Sequence, residues 1–153
     1  QQRLEIVSPK LSLTVQYAVE SDDLPTRPQL RRWARAALER DCTVTLRLVD
    51  ADEGRALNAS FRGKDYATNV LTFTYGEADP LEGDIALCVP IVVGEAQTQG
   101  KPTEAHWAHL VVHGMLHLQG HDHEDDAEAR EMEARETQIL GRLGYPDPYL
   151  PAA

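Results

Sequence analysis

The chain has 153 residues, 42% of them hydrophobic, which is enough for one domain with a core of its own. A net charge of −10 argues against a generally basic, nucleic-acid-coating surface, and no run approaches the ~18 apolar residues of a membrane span. Cys42 and Cys88 have no framework spacing and read as buried thiols; without a basic-then-apolar opening to the chain, a cytoplasmic location is expected.

In chain order, Leu11, Leu13, Val15 and Tyr17 alternate and predict a first strand. A loop carrying Pro25 and Pro28 follows. Leu30, Trp33, Ala34, Ala37 and Leu38 then fit an amphipathic helix. Val44, Leu46 and Leu48 predict a second strand. Asp50 and Glu53 resemble a capping box that opens a short helix through Leu57 and Phe61. Residues 69–73 read as a third strand. Ile85, Leu87 and Val89 read as a fourth, after the loop around Pro80, with Asp84 at its start as a turn or cap residue. Pro90 suits the first turn of the next helix. Thr103 is placed to cap a long helix that carries most of the histidines. A last helix, about 125–143, puts Ala129, Met132, Ile139, Leu140 and Leu143 on one side, and Gly144 and Pro146 stop it.

Strands and helices mix without a strict βαβ rhythm. The expected fold is α+β, a small mixed sheet of about four strands packed with about five helices, in a single domain over 1–153. The charge is uneven along it. Residues 27–64 hold nine Arg and Lys against five acids, whereas residues 122–136 hold eight acids against two Arg. An acidic helix face is usually a solvated face, and without it the body is nearly balanced and leaves room for a local basic patch.

The chemistry is concentrated in His113-Gly114-Met115-Leu116-His117-Leu118-Gln119-Gly120-His121-Asp122-His123. Helical residues four apart share a face and stand ~6 Å apart along the axis, so His113 and His117 can reach one ion. Gly120 permits a turn that swings His123 back as a third ligand. His109 extends the series, but His109 and His117 are ~12 Å apart along the axis, too far for one ion. Only the pair 113/117 has a glycine turn and a further histidine downstream. His106 and His109 read as structural or supporting residues. Three neutral imidazoles with one open position describe a metzincin-like catalytic site for one zinc ion per chain, although imidazole also suits nickel and copper.

A three-His zinc lowers the pKa of water in its open position to about 7, which makes a hydroxide nucleophile available. The substrate class stays open on this evidence: peptide, ester or phosphodiester. Proteases of this spacing read H-E-x-x-H, with Glu as general base. Gly114 stands at that position here. It either leaves room beside the metal for a bulky substrate or allows close helix packing. The second candidate segment is Arg62-Gly63-Lys64-Asp65, a polar loop at a helix end on the plain reading. On the functional reading Arg62 offers a charged planar fork for phosphate and neutralises charge in the transition state. Lys64 is then a candidate point-charge contact to a phosphate backbone, and Asn69 a second candidate contact.

With these segments in view, the sequence resembles the YbeY family of bacterial rRNA maturation factors. The resemblance rests on His113–His123, on Phe61-Arg62-Gly63-Lys64-Asp65 with Thr68-Asn69-Val70-Leu71 and Phe73, and on Gly83-Asp84-Ile85. Ala105–His109 and the closing Gly144–Tyr149 add to it, so that it covers nearly the whole chain after residue 10. It implies a zinc held by His113, His117 and His123, and a single-strand-specific endoribonuclease. It further implies ribosomal RNA as substrate, notably the small-subunit 3′ end, a part in ribosome quality control, and ribosomal or assembly proteins as partners. No DNA or membrane partner is expected. Arg62 matches the arginine essential for activity. The departure is His121, where the family often has Tyr; a fourth histidine there competes for metal, shuttles protons or is merely tolerated. Two other readings stand beside this one: a metallohydrolase of peptides or esters, and a ribosome assembly factor whose metal is structural.

Overall fold

The computed structural model describes residues 8–76 and 78–151. Among them are four strands and five helices: β1 Leu11–Tyr17, α1 Arg27–Ala36, β2 Cys42–Val49, α2 Ala51–Arg62, β3 Val70–Thr74, β4 Leu81–Cys88, α3 Val89–Gln99, α4 Thr103–Leu118 and α5 Asp126–Leu143. They form one four-stranded sheet in the order β1-β2-β4-β3. β1, β2 and β4 run parallel, and the edge strand β3 is antiparallel to β4. The α+β class, the mixed sheet and the element count are as the sequence predicts.

Strand alternation decides which face is covered. Val44, Leu46 and Leu48 of β2 stand opposite Gly83, Ile85 and Leu87 of β4, and period-two geometry sends all of them to one side. α4 lies on that side. Ten of its sixteen residues are buried, the condition of a helix that is apolar nearly all round, and it sits centrally among α1, α3, α5, β3 and β4.

Two glycines set how closely α4 approaches. A methyl group on Gly114 would meet Ile85 Cγ2 at 3.1 Å and Val70 Cγ2 at 3.4 Å. Gly114 therefore faces the sheet, and of its two readings close packing holds and room for substrate does not: Ile85 and Val70 fill that space. A methyl group on Gly83 would come within 2.3 Å of Leu118 Cδ1 and 2.7 Å of the Phe73 carbonyl oxygen. The leucine can turn aside, but the carbonyl belongs to the β3–β4 ladder. Gly83→Ala is expected to cost about 1–3 kcal/mol, the usual range for overpacking, as a lowered urea midpoint. A change under ~0.5 kcal/mol, the ordinary scale of a surface substitution, would show that β3 yields freely there.

Several local expectations are corrected. Pro28 lies inside the first turn of α1, where its missing N–H is an orphan in any case; Thr26 caps that helix in a capping box with Gln29. Asp50 does cap α2, accepting from the Glu53 N–H at 2.8 Å. The reciprocal half of that box is absent because Arg47 takes the Glu53 carboxylate, with Nη2 to Oε1 at 2.9 Å. β4 begins at Leu81, so Asp84 is mid-strand and accepts the Tyr75 hydroxyl instead of serving as turn or cap. Val89 belongs to α3, not to the strand. Thr103 is already helical, preceded by Pro102, and its side chain caps nothing. Cys42 and Cys88 are buried free thiols, and burial pushes the pKa of each upward.

Candidate metal centre

His106, His109, His113 and His117 follow one another along one side of α4, with successive ring centroids 6.2, 6.3 and 6.4 Å apart. After Leu118 the chain turns back at Gly120, whose φ of 105° is a conformation that residues with a side chain rarely adopt. The Gly120 N–H donates to the His117 carbonyl at 3.1 Å and the His121 N–H to the Leu116 carbonyl at 3.0 Å, closing the helix end. The turn brings the His123 ring to 5.8 Å from both His113 and His117. The histidines that the spacing singled out thus gather at the C-terminal end of α4, beside the edge strand.

The nitrogens are sorted by what lies behind them. His117 Nδ1 stands 3.1 Å from the His121 carbonyl oxygen. A carbonyl can only accept, so Nδ1 carries the proton and Nε2 keeps its lone pair. His113 Nδ1 stands 3.4 Å from Glu136 Oε2, a contact that favours the same assignment. The two rings are nearly parallel, at 6°. Burial lowers the pKa of His117 below the ordinary imidazole value, against the opposing pull of the His121 carbonyl. That favours the neutral form a metal requires. Three imidazoles are ligand types that suit an ion such as zinc, although the group whose ligand atoms all lie within 4.8 Å of one another among the described residues is a different one.

A second, overlapping group is His109, His113 and Glu136, whose ligand atoms lie within 4.8 Å of one another, so that it could hold a metal ion. Inside it His113 Nδ1 and Glu136 Oε2 stand 3.4 Å apart, but the contact between His109 and Glu136 is that of a hydrogen bond. His109 Nε2 to Glu136 Oε2 is 2.6 Å, whereas two ligands at ~2.0–2.1 Å on one tetrahedral zinc stand roughly 3.3 Å apart. Glu136 is 1% exposed. Burial alone would raise its pKa, but the hydrogen bonds from His109 and His113 prevail and hold it at about 2. Tyr149 donates to the other carboxylate oxygen at 2.8 Å, and its own pKa is raised by burial and by that carboxylate.

The remaining histidines have partners of their own. His106 Nε2 meets Glu95 Oε1 at 3.0 Å, and Glu95 also accepts from Asn69 Nδ2 at 3.1 Å. This chain of contacts ties the loop before β3 to α4 and engages the amide donor of Asn69. The His121 ring turns away to Glu39, Nε2 to Oε1 at 2.7 Å, and Glu39 is shared with Arg135.

Arg62 is the last residue of α2, and Lys64 follows it in the loop; both are exposed, and neither has an ion-pair partner among the described residues. The loop between them and β3 is held to α2 at two points. Buried Asn58 donates to the Tyr66 carbonyl at 2.8 Å, and Arg55 grips Asp65 at 2.7 and 3.0 Å. The segment is thus a helix end and a pinned polar loop that leaves two cations unspent.

The profile of the Endoribonuclease YbeY family matches residues 16–144. The chain belongs to the YbeY endoribonuclease family. Its YbeY relatives include proteins named Endoribonuclease YbeY from Aromatoleum aromaticum, 59% identical over 95% of this chain and 96% of that one, and from Paraburkholderia phymatum, 56% identical over 93% and 97%. A relative of the same name from an Azoarcus species is 60% identical over 92% of this chain but only 60% of its own length. The solution structure of a Thermotoga maritima protein superposes with a TM-score of 0.58 at 28% identity, covering 90% of this chain and 99% of that one.

Sequence reasoning within the YbeY frame passed over Glu136, Glu95 and Glu39. One signal was available for Glu136. Met132, Glu136, Ile139 and Leu140 share the buried side of α5, and a carboxylate at a stripe position of an amphipathic helix is out of place unless something pairs with it.

Proposed function

We propose that this chain is a metal-dependent endoribonuclease that cuts single-stranded RNA in the maturation of ribosomal RNA. What supports the reading is the gathering of the His113, His117 and His123 rings, with Nε2 of His117 left free by the His121 carbonyl, in a member of an endoribonuclease family. Zinc is the ion of choice, one per chain, held by these three histidines. A divalent ion held there supplies a Lewis acid to a phosphoryl oxygen and lowers the pKa of water.

The chain's own residues supply the rest. Arg62 offers two parallel N–H donors to a non-bridging phosphate oxygen and offsets the charge that develops as the bond breaks. Lys64 contacts a neighbouring phosphate as a point charge. Asn69, whose amide nitrogen already donates to Glu95, contacts RNA through its carbonyl oxygen. Gly114, buried against Ile85 and Val70, supplies no general base. The proposed setting is the cytoplasm, the small-subunit rRNA 3′ end and ribosome quality control, with ribosomal or assembly proteins delivering a substrate that a chain of net charge −10 attracts poorly by itself. Among the described residues no helix is long and apolar enough to cross a membrane.

The test is cleavage of an end-labelled RNA carrying single-stranded and duplex regions. Zinc-loaded protein is expected to cut the single-stranded region, to lose this on chelation and to regain it on zinc addition. Cleavage that persists after complete metal removal, or none from folded, zinc-bearing protein with or without ribosomal subunits, would overturn the reading.

A further inference from the structure

We propose that Glu136 is a positioning residue for the metal centre: from the buried side of α5, its carboxylate fixes the ring of His113 so that Nε2 faces the ion. The inference rests on the assignment of His113, His117 and His123 as ligands.

A carboxylate that is 1% exposed is costly unless its lone pairs are used. No Lys or Arg pairs with it among the described residues. It is met by three neutral-capable donors: His109 Nε2 at 2.6 Å, the Tyr149 hydroxyl at 2.8 Å and His113 Nδ1 at 3.4 Å. An ionised carboxylate only accepts, so its place 3.4 Å from His113 Nδ1 favours the proton on Nδ1 and the lone pair on Nε2. The His121 carbonyl does the same for His117 one turn further on, and the two ring planes lie within 6° of parallel. His109 and Tyr149 in turn hold the carboxylate: His109 reaches it from the same helix as the ligands, and Tyr149 from the chain beyond α5. The 2.6 Å contact to His109 leaves no space for an ion between those two groups. Glu136 therefore acts through His113 and does not bind the metal itself. Carboxylates placed behind ligating histidines commonly govern metal affinity in this way, by about 10–100-fold.

The experiment measures zinc affinity by competition with a chromogenic chelator, on full-length parent, Glu136→Gln, Tyr149→Phe, His117→Ala and His123→Ala. Nitrogen-15 NMR of the metal-free parent and of Glu136→Gln reads the histidine tautomers. Glu136→Gln is expected to weaken zinc binding by about 10–100-fold and to let the His113 proton redistribute to Nε2, while Tyr149→Phe, which leaves the His113 contact in place, changes both less. Zinc affinity within twofold of the parent in folded Glu136→Gln would overturn the proposal. So would a parent whose His113 carries its proton on Nε2, a result that needs no variant to fold. If His117→Ala and His123→Ala keep zinc while Glu136→Gln loses it, the ion sits in the His109, His113 and Glu136 group, and both the proposal and the ligand assignment fall. RNA cleavage enters none of these readouts. Zinc-binding protein without nuclease activity would overturn the proposed function and leave this inference standing.

Discussion

His117→Ala is expected to release the metal and to lower RNA cleavage by more than about 100-fold. Losing a hydrogen-bond partner of a ligating histidine costs about 10–100-fold in affinity or activity, and losing a ligand itself removes one of three protein attachments. The variant is expected to fold. His117 is one residue from the end of α4, its ring is only part-buried, and Ala favours helix. The measurement pairs metal content after gel filtration with cleavage of single-stranded RNA. Full zinc content together with parental activity would remove His117 from the site. Zinc loss with parental activity would make the metal structural and favour a reaction carried without it.

Arg62→Ala is expected to reduce kcat by about 10²–10³-fold, the scale of deleting one donor aimed at a developing oxyanion, with zinc content unchanged. Stability should move by no more than ~0.5 kcal/mol, because Arg62 is exposed at the end of α2 with no ion-pair partner among the described residues. Arg62→Lys should recover part of the loss, since charge returns without the planar fork. A fall confined to KM would make Arg62 a binding residue; no change in either constant would remove it from the chemistry. The same variant, purified alongside the parent, controls for contaminating nuclease.

The fold was legible where local pattern carries it. Alternation of Leu11, Leu13, Val15 and Tyr17 marks β1, and the apolar side of residues 125–143 marks α5 to within a residue. Readings failed where a neighbour distant in sequence decided the matter. Glu53 had the spacing of a capping box, but Arg47 on β2 claimed its carboxylate. Asp84 had the look of a turn residue, but β4 had already begun at Leu81 because it pairs with Cys42 of β2. Gly114 was read both as room for substrate and as close packing, and the Ile85 and Val70 methyls decide for packing.

The proposed metal centre divides along the same line. The sequence by itself determined that His113, His117 and His123 come together, because the pitch of a helix and the turn at Gly120 are local geometry, fixed over eleven residues of continuous chain. It also determined the α+β class, because strand and helix periods are written residue by residue. Only the tertiary structure decided what stands behind each ring: Glu136 behind His113 from another helix, Glu39 beside His121 from 82 residues away, and Glu95 against His106. It also decided that β3 runs antiparallel at the sheet edge beside the site. No periodicity encodes such pairings. They arise when helices and sheet pack, and a buried carboxylate must then find its donors among whatever side chains the packing brings within reach.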